Sequence, residues 1–434
     1  MKIPKHWKIH RLKEVADARP SNVDKKTVDG DTPVLLCNYV DVYKNRTIKA
    51  DMEFMEATAT RSQVEQFSIR AGDVIITKDS EAWDDIGVPA HVPEAVANLV
   101  CGYHLTLVRP NPKVLHGAYL ARCFESEGLR DQFCVAANGV TRYGLGTQEI
   151  KCFVLPVPPL PEQQAIAAFL DRETAGIDAL IARKKRLIEL LEEKCQAVVS
   201  NAVTNGIDNT VKTRDSGTPW LGFIPEHWEI KPIKHCTTIL GGMTPSKVVP
   251  EYWNGSVPWV SAKDMKRFEI SDSEDHITES ALNETSITLL PKHTVMLVIR
   301  GMILAKHVPV AINKVPVTIN QDMKGLVCHS GLLPQYLGYQ LRSIQDAFFA
   351  VMEEAGHGTL CLRTELWNRI LIAIPSVAEQ QAICKRIDRA TASITECIRK
   401  IDVSLNRLLE YRTALISAAV TGQIDVRDEV ELDG

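Results

Sequence analysis

The sequence lacks the features of a membrane-spanning, secreted or disulfide-bonded protein. No stretch of its 434 residues approaches the roughly 18 apolar residues that a membrane span needs, and the segment from Met1 to Val15 lacks the apolar core of a signal peptide. Eleven cysteines, an odd number, stand singly without a Cys-x-x-Cys pair. This spacing favours buried, reduced thiols over a disulfide framework or a zinc site. We therefore expect a cytoplasmic protein with no disulfide and no metal.

Motifs of enzymes are also missing. The glycine-containing segment 241–247 does not have the spacing of a phosphate-binding P-loop. The chain contains no Asn-Pro-Pro-Tyr or Asp-Pro-Pro-Tyr segment of the kind found in amino-methyltransferases, and no glycine-rich loop after a predicted strand. We expect neither a catalytic site nor a cofactor.

An excess of positive charge is absent as well. The formal net charge is −4 and the isoelectric point is near 6.3. Residues 1–158 carry 20 basic and 20 acidic side chains, and residues 214–374 carry 15 and 16. If this chain binds DNA, other subunits must supply much of the grip on the phosphates.

What the sequence does contain is an internal repeat. The segment Glu162-Gln163-Gln164-Ala165-Ile166 recurs 217 residues later as residues 379–383, and the match continues without a gap to residues 202–204 and 419–421. A second match pairs residues 3–7 with residues 224–228. The chain therefore consists of two copies of one unit, with dissimilar inserts between the matching segments.

The matching segments following residues 162 and 379 are predicted to be long helices. Pro161 and Pro375 suit helix starts, while Asn205-Gly206 and Gly422 suit helix ends. Apolar residues recur at steps of three and four, interrupted at Lys184 and Arg412, as in helices that pack lengthwise. The candidate helix-pairing residues are Ile177, Ile181, Ile188, Leu191, Val198, Ile394, Ile398, Ile401, Leu405, Leu408 and Leu415. The alternative is that each apolar stripe packs only on its own domain.

The inserts have mixed α and β patterns. Residues 71–77 and 293–299 are predicted to be strands, and residues 115–126 and 334–343 short helices. We therefore divide the chain into a first domain (1–158), a central helical spacer (159–213), a second domain (214–374), a C-terminal helical spacer (375–426) and an acidic tail (427–434).

The repeated frame resembles the specificity subunits of type I restriction-modification systems. The resemblance rests on residues 215–217, 219–222 and 224–228, followed by residues 379–381 opening a long helix after a proline. It implies an α+β fold in which two mixed α/β target-recognition domains are separated by two long antiparallel coiled-coil helices with pseudo-twofold symmetry. It also implies that the chain has no activity of its own and assembles with two DNA methyltransferase subunits and with ATP-dependent restriction subunits. Each recognition domain would read one half of an asymmetric, bipartite site in double-stranded DNA.

Two segments at equivalent positions of the repeat are candidates for DNA contact. Glycines allow the backbone to approach a partner closely, and an arginine can hold a phosphate or bind guanine through two hydrogen bonds. The candidate residues are Asn138, Thr141, Arg142 and Tyr143 in the first half, and His357 and Thr359 in the second. The alternative is a pair of solvent-exposed turns.

A second group of candidates lies elsewhere in the second half. The cations Lys263, Lys266 and Arg267 follow Trp253 and Trp259, a mixture that nucleic-acid surfaces share with ordinary exposed faces. Arg300 and Gln321 lie in segments that resemble those of the family's recognition domains. An arginine can bind guanine and a glutamine can bind adenine, but a capping or turn role fits the same residues.

Other functions require different chemistry. Residues 3–7 and 224–228 are the opening frames of the two copies, and in each a histidine, His6 or His227, precedes the tryptophan. This repeated position favours a packing role over catalysis. Glu162 and Glu379 suit helix starts better than catalytic acids. A coiled-coil adaptor that binds no nucleic acid remains an alternative. A self-contained nuclease or methyltransferase is a third and would need activity from this chain alone.

Overall fold

A computed structural model describes residues 3–208, 210–355 and 359–427. The chain forms two compact units, of which unit 1 takes in described residues of 1–185 and 402–434, and unit 2 those of 186–401. Each unit therefore combines one mixed α/β domain with parts of both long helices. His357 and most of the predicted acidic tail lie outside the described residues.

In the first half, the residues that the structure describes form twelve strands and seven helices. The strands are β1 (Lys8–Arg11), β2 (Ala16–Pro20), β3 (Thr32–Cys37), β4 (Met55–Ala59), β5 (Val74–Thr77), β6 (Asp79–Ser80), β7 (Pro89–His91), β8 (Leu99–Cys101), β9 (Leu105–Pro110), β10 (Asn138–Gly139), β11 (Tyr143–Gly144) and β12 (Val154–Val157). The helices are α1 (Leu12–Val15), α2 (Tyr39–Lys44), α3 (Arg61–Phe67), α4 (Gly117–Glu125), α5 (Glu127–Ala136), α6 (Thr147–Cys152) and α7 (Leu160–Asn205).

In the second half, the described residues form fourteen strands and six α-helices. The strands are β13 (Thr213–Asp215), β14 (Phe223–Pro225), β15 (Glu229–Pro232), β16 (Thr237–Gly241), β17 (Trp253–Val260), β18 (Glu269–Ile270), β19 (Asp275–Ile277), β20 (Val295–Val298), β21 (Val310–Asn313), β22 (Thr318–Ile319), β23 (Met323–Cys328), β24 (Met352–Ala355), β25 (Thr359–Leu362) and β26 (Leu371–Ile374). The helices are α8 (Ile233–Cys236), α9 (Glu279–Glu284), α10 (Pro334–Ser343), α11 (Gln345–Phe349), α12 (Thr364–Trp367) and α13 (Val377–Val420), with short 3-10 helices at Pro250–Tyr252, Ala262–Asp264 and Met302–Ala305.

The two domains share one sheet topology although their inserts differ in sequence. The main sheet has the order β2-β9-β5-β7 in unit 1 and β16-β23-β20-β21 in unit 2, where β18 adds a parallel edge strand. A smaller sheet places β3 between antiparallel β4 and parallel β8, and correspondingly β17 between β19 and β22. A two-stranded sheet, β1-β12 or β15-β26, closes each domain.

The central strands and the adjacent helices form the two cores. All four residues of β5 and all four of β20 are buried, as expected for strands covered on both faces. The helices α4 and α10 contribute the buried tyrosines Tyr119 and Tyr336. The predicted strands within 71–77 and 293–299 and the predicted helices within 115–126 and 334–343 are confirmed.

The long helices α7 and α13 are continuous over 46 and 44 residues. Both begin close to a proline, and each is followed by a glycine with positive φ, Gly206 at 74° and Gly422 at 69°. Every candidate helix-pairing residue is at least half-buried, and Ile181, Ile401 and Leu405 are each 8% exposed. Their contacts with one another across the helix pair stay a prediction.

Each long helix begins in one unit and ends in the other. In unit 1 the Tyr119 hydroxyl lies 2.9 Å from the carbonyl oxygen of Pro156 and 3.2 Å from that of Val420, at the end of α13. In unit 2 the Tyr336 hydroxyl lies 3.0 Å from the carbonyl of Ala373 and 3.4 Å from that of Val203, near the end of α7. Unit 1 thus contains the start of α7 and the end of α13, and unit 2 contains the start of α13 and the end of α7. The two helices therefore run antiparallel.

Candidate nucleic-acid interface

The start of each long helix is fixed by the histidine and tryptophan of the opening frame. In unit 1, Trp7 Nε1 donates to Glu162 Oε1 at 3.0 Å, and His6 Nε2 lies 2.9 Å from Glu162 Oε2. In unit 2, Trp228 and His227 bind Glu379 with the same two distances. The glutamates therefore join domain and helix, which agrees with the packing role predicted for the histidines.

A glutamine on the first turn of each long helix forms a second connection between helix and domain. Gln163 Oε1 accepts from the backbone N–H of His116, and its Nε2 donates to the carbonyls of Val114 and Pro158. Gln380 makes the equivalent bonds in unit 2. Both glutamines are fully buried, and these three bonds satisfy polar atoms that would otherwise be costly to bury. The repeated Glu-Gln-Gln segment is thus structural.

The candidate DNA-contact residues of the first half lie on one hairpin. Strands β10 and β11 pair with each other, and β11 also pairs with β6, immediately beyond the buried strand β5. A glycine is required at residue 139, where φ is 153° and a Cβ would lie 1.9 Å from the carbonyl oxygen of Arg142. Asn138, Thr141 and Arg142 are exposed, and Val140 at the tip is 90% exposed. The hairpin therefore presents a cation, a hydroxyl and an amide to solvent.

Not all of these side chains are equally available to a ligand. Asn138 Nδ2 donates to the carbonyl of Ala136 at 2.8 Å, which gives this amide a turn role. Tyr143 is half-buried and packs against the core of unit 1. Arg142 and Thr141 are consequently the strongest candidates on this hairpin.

Arg142 borders a cavity of about 310 Å³ that contains several carboxylates. Its lining residues are Tyr39, Tyr43, Asp79, Ser80, Glu81, Asp85 and Arg142. Burial raises the pKa of the Tyr39 hydroxyl, and the negative charge of Asp85 raises it further. The cavity thus places hydroxyl and guanidinium donors beside carboxylate acceptors, and groups of these kinds can form hydrogen bonds to base edges.

Sequence reasoning missed a cluster of surface groups beside this hairpin. Tyr103 is 51% exposed, and Lys78 Nζ lies 4.7 Å from the centre of its ring. His104 Nδ1 lies 2.8 Å from Asp79 Oδ2 and 3.4 Å from Arg142 Nη2. Lys78 and Asp79 directly follow β5, whereas Tyr103 and His104 lie between β8 and β9. Only pairing between residues distant in sequence brings them together, so no local pattern could have identified the cluster.

The second half has a hairpin at the equivalent place. Strands β24 and β25 pair with each other, and the tip between them lies outside the described residues. Cys361 on β25 pairs with Arg300, as Gly144 on β11 pairs with Asp79. Thr359 is half-buried at the start of β25. The predicted equivalence of the two segments thus extends to their place beside the central strand of each domain.

Arg300 and Gln321 lie near this hairpin. Arg300 is exposed just beyond β20, and the neighbouring Met302 is 81% exposed. The backbone N–H of Ile299 donates to the carbonyl of Asp322, which brings the turn carrying Gln321 alongside Arg300. Gln321 is exposed and contacts Thr244 and Asp322. The structure therefore groups Arg300, Gln321 and β25.

The remaining predicted cations have other partners. Lys263 Nζ lies 2.9 Å from Asp275 and 3.1 Å from Glu274, and these acids raise the pKa of its ammonium group. Lys266 lies 3.8 Å from Glu274. These acids offset the positive charge that suggested a nucleic-acid surface.

The two tryptophans that precede these lysines lie on β17, in the small sheet of unit 2, and belong to one apolar cluster. Trp253 and Trp259 pack edge to face at 5.2 Å, and Trp259 is buried. Arg267 is exposed and lines a cavity of about 270 Å³ with His307 and Arg342. The two arginines thus place positive charge at this cavity, where a phosphate could bind.

The described residues contain neither a metal-ligand cluster nor a helix suited to a membrane. No group of three or more His, Cys, Asp or Glu side chains there is placed to hold a metal ion. Likewise, none of the helices in the described ranges is long and apolar enough to cross a membrane.

The chain thus contains two copies of one α/β domain, each with a hairpin of its own sequence, and a pair of long helices shared between them. A family model described as type I restriction modification DNA specificity domain matches residues 4–190 and again residues 225–407. The chain belongs to this family.

Named relatives and a solved structure agree with this assignment. The chain is 37% identical over 182 residues to the EcoR124I/EcoR124II specificity subunit of Escherichia coli, covering 41% of this chain and 45% of the relative. It is 34% identical over 166 residues to the MjaIX specificity subunit of Methanocaldococcus jannaschii, covering 38% of each. These alignments span less than half of each relative.

A solved chain shows the same fold over nearly the whole length. It comes from a structure described as the structural basis of complex assembly and conformational transition of the type I R-M system. The TM-score is 0.66 at 16% identity, with 98% of this chain and 100% of the solved chain covered. This likeness concerns the fold alone.

Proposed function

We propose that the chain is the DNA-reading specificity subunit of a type I restriction-modification complex. Residues 1–158 and 214–374 would each recognise one half of an asymmetric, bipartite site in double-stranded DNA, and residues 159–213 and 375–426 would act as the spacer between them. The observation that carries this proposal is the pair of hairpins beside β5 and β20. They occupy equivalent places and carry unlike side chains, as required of two domains that read different sequences.

Direct contacts are assigned to candidate side chains at or near each hairpin. Arg142 and Thr141 would meet one half-site, and Arg300, Gln321, Thr359 and His357 the other. Asn138 and Tyr143 would shape the first hairpin, and Arg267 would contact the backbone. Lys263 and Lys266 remain weaker candidates because a phosphate would have to displace Glu274 and Asp275 from them. Bidentate arginine contacts to guanine would supply the base discrimination.

The partners in this proposal are two methyltransferase subunits and ATP-dependent restriction subunits. The near-neutral charge of both domains supports the need for partners, because this chain alone offers few cations for phosphate contacts. In unit 2, Leu187 and Leu190 of α7 are 45% and 44% exposed, an apolar surface of the kind that a docked protein covers. This chain would supply specificity without a catalytic group or cofactor, and would act on DNA in the cytoplasm.

The proposal is tested with the complex reconstituted from this chain and its host methyltransferase. We expect salt-sensitive binding that prefers one bipartite sequence, and methylation of that sequence across a host genome. Binding without sequence preference, or no binding at all, would favour the adaptor alternative. Methyl transfer by the highly purified chain alone would contradict a purely specifying role.

Hairpin variants locate the contacts. Arg142→Ala should weaken binding of the reconstituted complex by about 1–3 kcal/mol if the side chain meets a base, and Arg300→Ala should do the same at the other half-site. The matched controls are Arg70→Ala and Lys292→Ala. Each removes an exposed cation that precedes the first residue of β5 or β20, at the end of the strand away from the hairpin. Equal effects of a hairpin variant and its control would remove that hairpin from the interface.

A further inference from the structure

The apolar series of α13 is interrupted by a cation that has a defined site in unit 1. The Arg412 side chain is only 12% exposed. Its Nη2 donates to Glu125 Oε2 at 3.1 Å, and its Nε lies 3.2 Å from Asp178 Oδ1. Glu125, also 12% exposed, belongs to α4, whereas Asp178 belongs to α7. The end of α13 is therefore attached to both the domain and the other helix by charge.

The acids of this site have further partners in unit 1. Arg122 Nη1 donates to the same Glu125 oxygen at 2.9 Å, and Arg46 binds Asp178. Burial lowers the pKa of Arg412, and the carboxylates of Glu125 and Asp178 oppose this effect. A buried cation needs such partners, because an unpaired charge away from water is strongly destabilising.

The equivalent place in unit 2 has a different chemistry. The contacts of Tyr119 with Val420 and of Tyr336 with Val203 dock the two helix ends in the same register, since residues 420 and 203 are 217 apart. Eight residues earlier on each helix, Arg412 of α13 corresponds to Cys195 of α7.

On the domain side of this contact, the charge at one equivalent position is opposite in the two units. The residue equivalent to Glu125 is Arg342 on α10, and Gln196 Nε2 donates to the carbonyl oxygen of Arg342 at 2.9 Å. Burial raises the pKa of the Cys195 thiol, and the positive charge of Arg342 opposes this rise. Unit 2 thus presents a cation where unit 1 presents a carboxylate.

We propose that Glu125 and Arg342 decide which long-helix end docks on which unit. Glu125 and Asp178, which also pair with Arg122 and Arg46, accept the end of α13 because Arg412 adds the third cation that they bind, and Arg342 rejects that end because it would face Arg412. The end of α7 carries the uncharged Cys195, which Arg342 tolerates. This proposal rests on the fold and does not depend on DNA binding.

The selectivity matters because the rest of each docking site is the same. The tyrosine contacts occur in both units, and so does the approach of a tryptophan to the glycine after the helix, Trp7 to Gly422 and Trp228 to Gly206. These contacts do not distinguish one helix end from the other. A helix end from the wrong half of a second copy would place Arg412 against Arg342 in unit 2, or leave Glu125 and Asp178 with Arg122 and Arg46 but without Arg412 in unit 1. Charge therefore restricts each unit to the heterologous helix pair.

The test introduces each mismatched pair into the full chain and then repairs it. Glu125→Arg places a further arginine beside Arg122 and Arg412 in unit 1, and adding Arg412→Cys reproduces at residues 125 and 412 the pair that unit 2 uses. We expect E125R to lower the unfolding midpoint by about 5–10 °C and E125R/R412C to recover part of that loss, because Arg122 stays beside residue 125. Similarly, C195R should lower the midpoint and C195R/R342E should recover it.

Controls and a local measurement separate docking from general damage. Cys397→Arg and Glu410→Arg introduce the same residue at exposed positions of α13 and should shift the midpoint by less than about 2 °C. Amide hydrogen exchange in E125R should become faster by at least tenfold within residues 405–420, and that in C195R within residues 188–203. The double variants should reduce both changes.

Additive losses would overturn the proposal. If E125R/R412C and C195R/R342E are each as unstable as the sum of their single variants, charge does not select the helix end. Unchanged stability in both E125R and C195R would have the same meaning.

Discussion

Two glycines at the ends of the long helices show how single residues join helix and domain. A Cβ on Gly422 would lie 2.5 Å from Pro4 and 3.2 Å from Trp7, and a Cβ on Gly206 would lie 3.2 Å from Trp228. Both glycines have positive φ, so a side chain at either would be strained as well as crowded. The opening-frame tryptophans thus contact a helix start through a glutamate and a helix end through a glycine.

We expect Gly422→Ala to destabilise the chain by about 2–4 kcal/mol, from left-handed strain and from overlap with Pro4. Gly206→Ala should cost less, since its nearest contact is longer. The control is Gly176→Ala within α7, where a Cβ has nothing within 4 Å and should stabilise by about 0.5–1 kcal/mol. Chemical denaturation measures all three, and a neutral Gly422→Ala would contradict the close contact.

At the residue scale, the sequence identified clusters of positively charged side chains but not the acids that pair with them. The cationic segment containing Lys263 and Lys266 suggested a DNA surface, and the acids that offset it stand about ten residues further along, on and before β19. By contrast, Arg142 was identified from a repeated glycine-containing segment and does lie exposed on a hairpin. A repeat at equivalent positions carries tertiary information that a local mixture of cations and aromatics does not.

At the element scale, periodicity predicted the long helices well. The expected starts after Pro161 and Pro375 and the expected ends near Gly206 and Gly422 lie within a few residues of the bounds of α7 and α13. The common topology of the inserts could not be predicted, because strand order depends on pairs such as β5 with β9 that are distant in sequence. Matching the strands required the hydrogen-bonded ladders of both units.

The apolar stripe makes a prediction that two leucines of α13 can test. Leu405 is 8% exposed and Leu409, one turn later, is 49% exposed. Leu405→Ala should cost about 2–4 kcal/mol because it opens a cavity, whereas Leu409→Ala should stay within about 0.5 kcal/mol. Thermal or denaturant unfolding provides the measurement. Equal losses would show that the stripe does not mark the packed face.

At the scale of the whole molecule, exchange of helix ends makes both units depend on both halves of the chain. Unit 1 needs the end of α13 for the contacts of Tyr119 and Glu125, and unit 2 needs the end of α7 for the contact of Tyr336. A change in helix length must therefore leave these docked ends intact. The stretches around residues 185 and 401, where each helix passes from one unit to the other, satisfy this condition.

If the helices set the distance between half-sites, lengthening both should lengthen the gap in the DNA target. Seven residues inserted after Lys185 and seven after Ile401 add about 10 Å to each helix and keep the apolar stripe in phase, because seven residues are close to two turns. At about 3.4 Å per base pair, the gap should grow by about three base pairs with both half-site sequences unchanged.

The matched control inserts seven residues into α7 alone. This variant should lose stability, since one helix can then no longer reach both docking sites in register with the other. Methylation mapping in cells that supply the methyltransferase reports the gap directly. A fully active double-insertion variant with an unchanged gap would show that something other than α7 and α13 sets the spacing, while leaving the reading of each half-site intact.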